Sequence, residues 1–148
     1  MRTMTWRILV PIDFSETSLK ALAEAARLTS ALSAELTLIH VLAPGGARRS
    51  LTPGASRPAP SDVMEADAKE GDELKRLREE YLPEIDDVTL QIVAGESAAE
   101  AITDQAKRMH ANMIVMSSHG RTGLSHVLIG SVAEAVVKSA LCPVLIVP

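Results

Sequence analysis

The sequence predicts an α/β fold, a single doubly wound sheet of five parallel strands with helices on both faces. Short apolar runs alternate with segments of helical periodicity along all 148 residues, and such alternation implies parallel strands joined by right-handed crossovers. The strand runs are almost continuously apolar, as expected of strands buried on both faces. A glycine-bearing loop, Ser117–Ser131, separates a strand from a helix at a place where such sheets hold ligands.

Arg7–Ile12 (RILVPI) is the first strand. Asp13–Ser18 follows with helix-start chemistry: Asp13 or Ser15 can cap, and Glu16 stands three residues after Asp13. Leu19, Leu22, Ala23 and Ala26 recur at i, i+3, i+4 and i+7, one face of a helix. Glu35–Leu42 (ELTLIHVL) is the second strand. Ala43–Ser61 is rich in proline, glycine and arginine and reads as a long mobile loop within one domain spanning residues 1–148. Asp62–Leu82 has a charged helical pattern, with Leu74, Leu77 and Tyr81 on one face. Asp87–Ala94 is the third strand. Ser97–His110 is a helix with Ser97 as N-cap and Glu100 at N3, burying Ala98, Ile102, Gln105 or Ala106, and Met109. Asn112–Met116 is the fourth strand, Val132–Ala140 the last helix and Pro143–Val147 the last strand.

Composition narrows the function classes. A chain of this length buries roughly two-thirds of its unfolded surface. It is 47% hydrophobic but 2% aromatic, so its core is aliphatic. That scarcity counts against a flavin site or a platform for single-stranded nucleic acid, since both stack rings on aromatic side chains. A net charge of −4 also argues against nucleic acid as a partner. The lone cysteine, Cys142, excludes an intrachain disulfide and reads as a buried, inert thiol. No run resembles a signal h-region or a membrane span, so a soluble cytoplasmic protein is expected.

Strand, glycine loop and helix together place backbone N–H groups and a positive helix terminus around an anion. Gly120 and Gly130 carry no Cβ and allow close approach of the main chain. Ser117, Ser118 and His119 supply polar groups at the strand exit, and Ser131 a hydroxyl at the helix start. The pattern reads as a phosphate site on a nucleotide. Asp13, at the end of the first strand, is either a helix cap or a carboxylate for a ribose hydroxyl or a phosphate-bound Mg²⁺. His40, inside an apolar strand, reads as a satisfied core histidine. His119 is a loop residue without a Ser–His–Asp arrangement around it, so no catalytic residue is assigned. His126 falls in a packed excursion with Leu124, Val127 and Leu128. There is no GxxxxGK[ST], no glycine in the first strand-to-helix turn, no acceptor Asp after the third strand, and no flavodoxin-type phosphate loop.

Ile8–Asp13 (ILVPID) with Ser15 and Ser18, Ile39–Val41, Val115–Ser131 (VMSSHGRTGLSHVLIGS) and Cys142–Val147 (CPVLIV) together resemble a universal stress protein along the whole chain. The nucleotide-binding branch of that family carries G-x₂-G-x₉-G-[ST]. Gly120, Gly130 and Ser131 match its second half, while Ser117 stands at its first glycine. The resemblance implies the flavodoxin-like, adenine-nucleotide-binding form of the sheet and an ATP or AMP ligand, with Mg²⁺ through Asp13. It places Pro11, Ile12 and Asp13 along adenine and ribose, the Val41 backbone at the adenine edge, and Met116 and Ser117 beside the ribose. Gly120, Gly130, Ser131 and Val132 would hold the phosphates. It also implies a homodimer formed by antiparallel pairing of Pro143–Pro148.

The expected function is a homodimeric, cytoplasmic regulatory or stress-response protein that binds ATP or AMP and is not an efficient enzyme. One alternative is a slow Mg²⁺-dependent ATPase, with Asp13 on the metal and His119 positioning water. Another is a nucleotide-free partner-binding module that docks through Ala43–Ser61. That loop could equally be a lid bringing Arg48, Arg49 or Arg57 to phosphates, whereas Arg121 reads as a solvated loop cation.

Overall fold

The computed structural model describes residues 4–42, 60–120 and 129–148, with side chains in the helix beginning at Pro60 described from Ala68 onward. The elements run β1 (Arg7–Pro11), α1 (Glu16–Leu32), β2 (Glu35–Leu42), α2 (Pro60–Tyr81), β3 (Val88–Ala94), α3 (Ala98–Arg108), β4 (Met113–Ser117), α4 (Ser131–Ser139) and β5 (Val144–Val147). The five strands form one sheet in the order β3-β2-β1-β4-β5, and every pairing is parallel. The chain winds outward in one direction through β2 and β3, then returns past β1 to build β4 and β5. The order therefore reverses between β1 and β4, and a crevice opens beyond their carboxyl ends. The doubly wound α/β expectation is met.

Alternate residues of each strand feed separate cores. Ile8, Val10, Leu36 and Leu38 pack with Leu22 and Ala25 of α1 and Leu74 and Leu77 of α2. Leu9, Ile39, Ile114 and Met116 pack on the other face with Ile102 and Ala106 of α3 and Ala133 and Val136 of α4. The largest fully buried side chains are all Ile, Leu or Val, each contributing about 2 kcal/mol through removal from water. The aliphatic core read from composition is present.

Several local expectations shift. The buried face of α1 is Ser18, Ala21, Leu22, Ala25 and Thr29, while Ala23 is exposed. Two of these are hydroxyl residues whose burial is satisfied locally: Ser18 Oγ donates to the Ser15 carbonyl at 2.9 Å and Thr29 Oγ1 to the Ala25 carbonyl at 2.7 Å. Helix α3 buries Ala99 rather than Ala98, together with Ile102 and Ala106. It stops at Arg108 because His110 adopts φ 52°. Pro60 and Ser61, expected in the preceding loop, belong to α2, whose first turn needs no N–H from proline. Most of the Ala43–Ser61 loop, with Arg48, Arg49 and Arg57, lies outside the described residues, as do Arg121, Leu124, His126, Val127 and Leu128. Among the described residues, no helix is long and apolar enough to cross a membrane.

Candidate functional site

The turn from β1 into α1 forms one wall of the crevice. The N–H of Ile12 donates to the Ile39 carbonyl at 2.8 Å, extending the β1–β2 ladder past the end of the strand. Phe14 then takes φ 62°, a left-handed conformation costly for a residue with a bulky side chain. Ser15 is the N-cap of α1, its Oγ accepting from the N–H of Ser18 at 3.2 Å. Asp13 is therefore not the cap, and no capping box forms between Asp13 and Glu16. Instead Asp13 Oδ1 accepts from the N–H of Ser15 at 3.0 Å and from the Ser15 hydroxyl. Its Oδ2 lies over Gly120, where a Cβ would be 2.6 Å away.

The exit of β4 forms the second wall. The carbonyl of His119 accepts from Ser117 Oγ and from Thr17 Oγ1, both at 2.8 Å. Ser118 Oγ lies 2.9 Å from His119 Nδ1. The N–H of Ser118 donates to the Val147 carbonyl at 3.1 Å and that of Gly130 to the Ser118 carbonyl at 2.5 Å. A Cβ on Gly130 would sit 2.9 Å from that same carbonyl oxygen. A Cβ would thus meet the Asp13 carboxylate at Gly120 and main-chain atoms at Gly130. Neither needs a positive φ, and neither does Ser117. Ser117 turns its hydroxyl onto the loop's own backbone, which accommodates a side chain at that position.

Gly130 begins α4 without a side-chain cap, and the first intrahelical bond runs from the N–H of Glu134 to the Gly130 carbonyl at 2.9 Å. The N–H groups of Ser131, Val132 and Ala133 have no partner within the helix, and the helix terminus adds positive potential there. The only carboxylate in this first turn, Glu134, is held by Lys138 at 2.7 Å. That hydrogen bond keeps its carboxyl below the ordinary glutamate range.

These walls enclose a cavity of about 560 Å³, within the range of small-molecule sites. All twelve residues singled out from sequence line it: Pro11, Ile12, Asp13, Val41, Met116, Ser117, Ser118, His119, Gly120, Gly130, Ser131 and Val132. Val132 is exposed and Met116 buried in the core beside α3 and α4. Lining residues that sequence reasoning did not assign include Ser18, Ile39, His40, Ala98, Ile102 and Ile129. Ala98 and Ile102 enter because α3 crosses the end of β2, a tertiary placement without a local signal. One side of the cavity is apolar (Ile39, Val41, Ile102, Met116, Ile129) and the other presents main-chain donors, which suits a flat ring joined to an anion.

His40 is buried in β2 as expected, with an acceptor beside each ring nitrogen. Its Nδ1 lies 2.6 Å from the Ile12 carbonyl, and its Nε2 pairs with Glu70 of α2. Among the described residues, no cluster of three or more His, Cys, Asp or Glu side chains could hold a metal ion. Cys142 is half-buried, and burial pushes its thiol up.

A model of the universal stress protein family matches residues 4–148. A universal stress protein of Methanocaldococcus jannaschii is 34% identical over 148 residues, covering 95% of this chain and 81% of its own. A second from the same archaeon is 31% identical over 157 residues, 99% and 97% of the two chains. Among solved structures, a universal stress protein from Lactobacillus plantarum superposes with a TM-score of 0.81 at 25% identity, over 99% of both chains. A universal stress protein in complex with cAMP gives a TM-score of 0.63 at 22% identity over 98% of both chains. One from Archaeoglobus fulgidus in complex with dAMP gives 0.65 at 22% identity, over 99% of this chain and 100% of its own. At that identity the likeness of the two complexes concerns the fold.

Proposed function

This chain belongs to the universal stress protein family, and we propose that its cavity is a regulatory site for an adenine nucleotide, ATP or AMP. The observation that carries the reading is the uncapped N-terminus of α4 opening onto an apolar cavity at the β1–β4 switch point. The adenine would lie along Ile39, Val41 and Ile102, with the main chain of Val41 at its edge. Asp13 Oδ2 would meet the ribose hydroxyls. The N–H groups of Ser131, Val132 and Ala133 and the Ser131 hydroxyl would hold phosphate, with Gly120 and Gly130 beside it. Two proteins of the same fold are complexes with cAMP and dAMP, which supports an adenine nucleotide here.

The protein is read as a single-domain, cytoplasmic stress-response regulator that acts by binding. Ser118 Oγ bonds to His119 Nδ1 from the adjacent position. A slow Mg²⁺-dependent ATPase, with Asp13 on the metal and His119 at the attacking water, is the second reading, favoured by both side chains lining the same cavity. A homodimer through Pro143–Pro148 completes the proposal, since β5 is a sheet edge and such edges pair. The test is to denature the purified protein and identify released nucleotide by chromatography and mass spectrometry. Near-stoichiometric ATP or AMP supports a regulatory site, and ADP accumulating in aged samples supports hydrolysis. An empty protein whose unfolding temperature does not move with added ATP and Mg²⁺ refutes both in favour of a nucleotide-free, partner-binding role.

A further inference from the structure

His40 is 7% exposed and sits near the end of β2. Both of its ring nitrogens face acceptors: Nδ1 the Ile12 carbonyl at 2.6 Å, Nε2 a carboxylate oxygen of Glu70. A neutral imidazole carries a single N–H, so it would leave one of these acceptors facing a lone pair. Among the described residues, the buried Glu70 Oε2 has no hydrogen-bond partner beyond this ring, so an unsatisfied contact there has no solvent to relieve it. The arrangement is complete only when the pair holds one proton more than a neutral imidazole beside a carboxylate.

The pair also controls geometry. The Ile12 carbonyl that His40 holds belongs to the residue before Asp13. Phe14, the residue after it, packs its ring on His40 with centroids 4.8 Å apart while strained at φ 62°. His40 thus grips the turn on both sides of Asp13, and Glu70 ties that grip to α2. We propose that His40 and Glu70 share a proton that positions the Asp13 turn, so that occupancy of the cavity falls as that proton is lost. The proposal rests on the nucleotide reading above. His40 is a positioning residue in it, acting through Asp13 and Ile12.

Among the described residues, the groups around the ring are few. The β1 turn contributes Asp13 beside Ile12 and Phe14, α1 contributes the uncharged Ser18, and β3 contributes Ile92 as the register partner. From α2 comes Glu70, and from the β4 exit His119, which lines the same cavity. Asp13, His119 and the ligand's phosphate all add to any pH profile, but they are common to the wild type and a Glu70 variant. The ratio of the two profiles isolates the pair.

Binding of ATP would be measured by calorimetry at about pH 6 and about pH 8, across the usual histidine range, for the wild type, Glu70→Gln and His40→Asn. A glutamine amide donates to a neutral Nε2, so Glu70→Gln needs no extra proton. His40→Asn keeps a donor near the Ile12 carbonyl and loses the proton site. The wild type is expected to weaken roughly three- to tenfold from the lower to the higher pH relative to both variants, the worth of one hydrogen bond to a charged or neutral partner. Parallel profiles for all three overturn the proposal. Ring ¹⁵N spectra of the ligand-free protein give a readout independent of binding. A His40 signal that changes with pH in the wild type but not in Glu70→Gln supports the shared proton, and an unchanging signal overturns it. If no variant binds ATP at either pH, the nucleotide reading falls and with it the coupling to occupancy, while the ring spectra still decide the proton.

Discussion

Replacing Gly130 by alanine tests the junction on which the site depends. The new Cβ would lie 2.9 Å from the Ser118 carbonyl oxygen and 3.4 Å from His119 Cα. Both obstacles are main-chain atoms, so no side chain can rotate aside, and α4 must move away from the β4 exit by several tenths of an ångström. The backbone at Gly130, φ −74° and ψ 162°, is one that alanine adopts freely. The effect is therefore one of space. Overpacking of this kind costs about 1–3 kcal/mol, and ~2 kcal/mol lowers Tm by about 4–8 °C in a domain of this size. The same movement stretches the 2.5 Å bond from the N–H of Gly130 to Ser118 and swings the N–H groups of Ser131, Val132 and Ala133 off their aim. Loss of one hydrogen bond to a charged phosphate weakens binding roughly tenfold or more. Thermal unfolding and calorimetry with ATP measure the two effects separately. An unchanged Tm refutes the packing argument. A lowered Tm with full ATP affinity refutes the assignment of phosphate to the start of α4.

Gly71 offers the opposite case: it lies within α2, and a Cβ there would meet Ile92 Cδ1 at an ordinary 3.7 Å. Gly71→Ala should gain about 1 kcal/mol from helix propensity and raise Tm by about 2–4 °C in thermal unfolding. Burial raises the Cys142 thiol above its ordinary range, so less thiolate is present near neutral pH. Alkylation should be slower in the folded protein than after denaturation, and equal rates followed by mass spectrometry would refute this. The carbonyls of Pro143 and Val147 accept from Ile114 of β4 and from Ser118 just beyond it, so the N–H groups of Val144 and Ile146 point to the open edge of β5. Under the proposed β5 dimer, Ile146→Pro should remove an edge donor and yield a folded monomer by light scattering, whereas a persisting dimer would place the interface elsewhere.

The fold was legible because burial on both faces leaves a coarse signature: ILV in β1 and the Leu, Ile and Val positions of LTLIHV in β2 are apolar whichever side they face. The helix faces were less so. In α1 the hydrophobic count favoured Leu19 and Ala26, yet Ser18 and Thr29 are buried, since a hydroxyl bonded to its own helix loses little on leaving water. The start of α3 shows the limit of periodicity among alanines, where Ala98 faces the cavity and Ala99 the core. The site was legible because its residues cluster at strand ends and glycines, which local chemistry marks. Its other lining residues reach it through helix placement. The reason for the glycines was not legible either, because the Asp13 carboxylate over Gly120 belongs to a turn more than a hundred residues earlier.

That last contact bears on how the site works. Thr17 Oγ1 and Ser117 Oγ converge on the His119 carbonyl, Asp13 closes on Gly120, and Gly130 closes on Ser118. The β1 turn, the β4 exit and the start of α4 are thus clamped together by polar contacts among the described residues. Walls held by their own contacts need little further ordering on binding. The same clamp limits how far binding can reshape these walls. A signal of occupancy would then pass outward through elements joined to the cavity from outside the clamp, of which α2, held at Glu70 by His40, is one. If hydrogen exchange on adding ATP slowed at the β4 exit alone and left α2 unchanged, this route would be wrong. Slowed exchange in α2 around Glu70 is the expected result, and it should be weaker in Glu70→Gln.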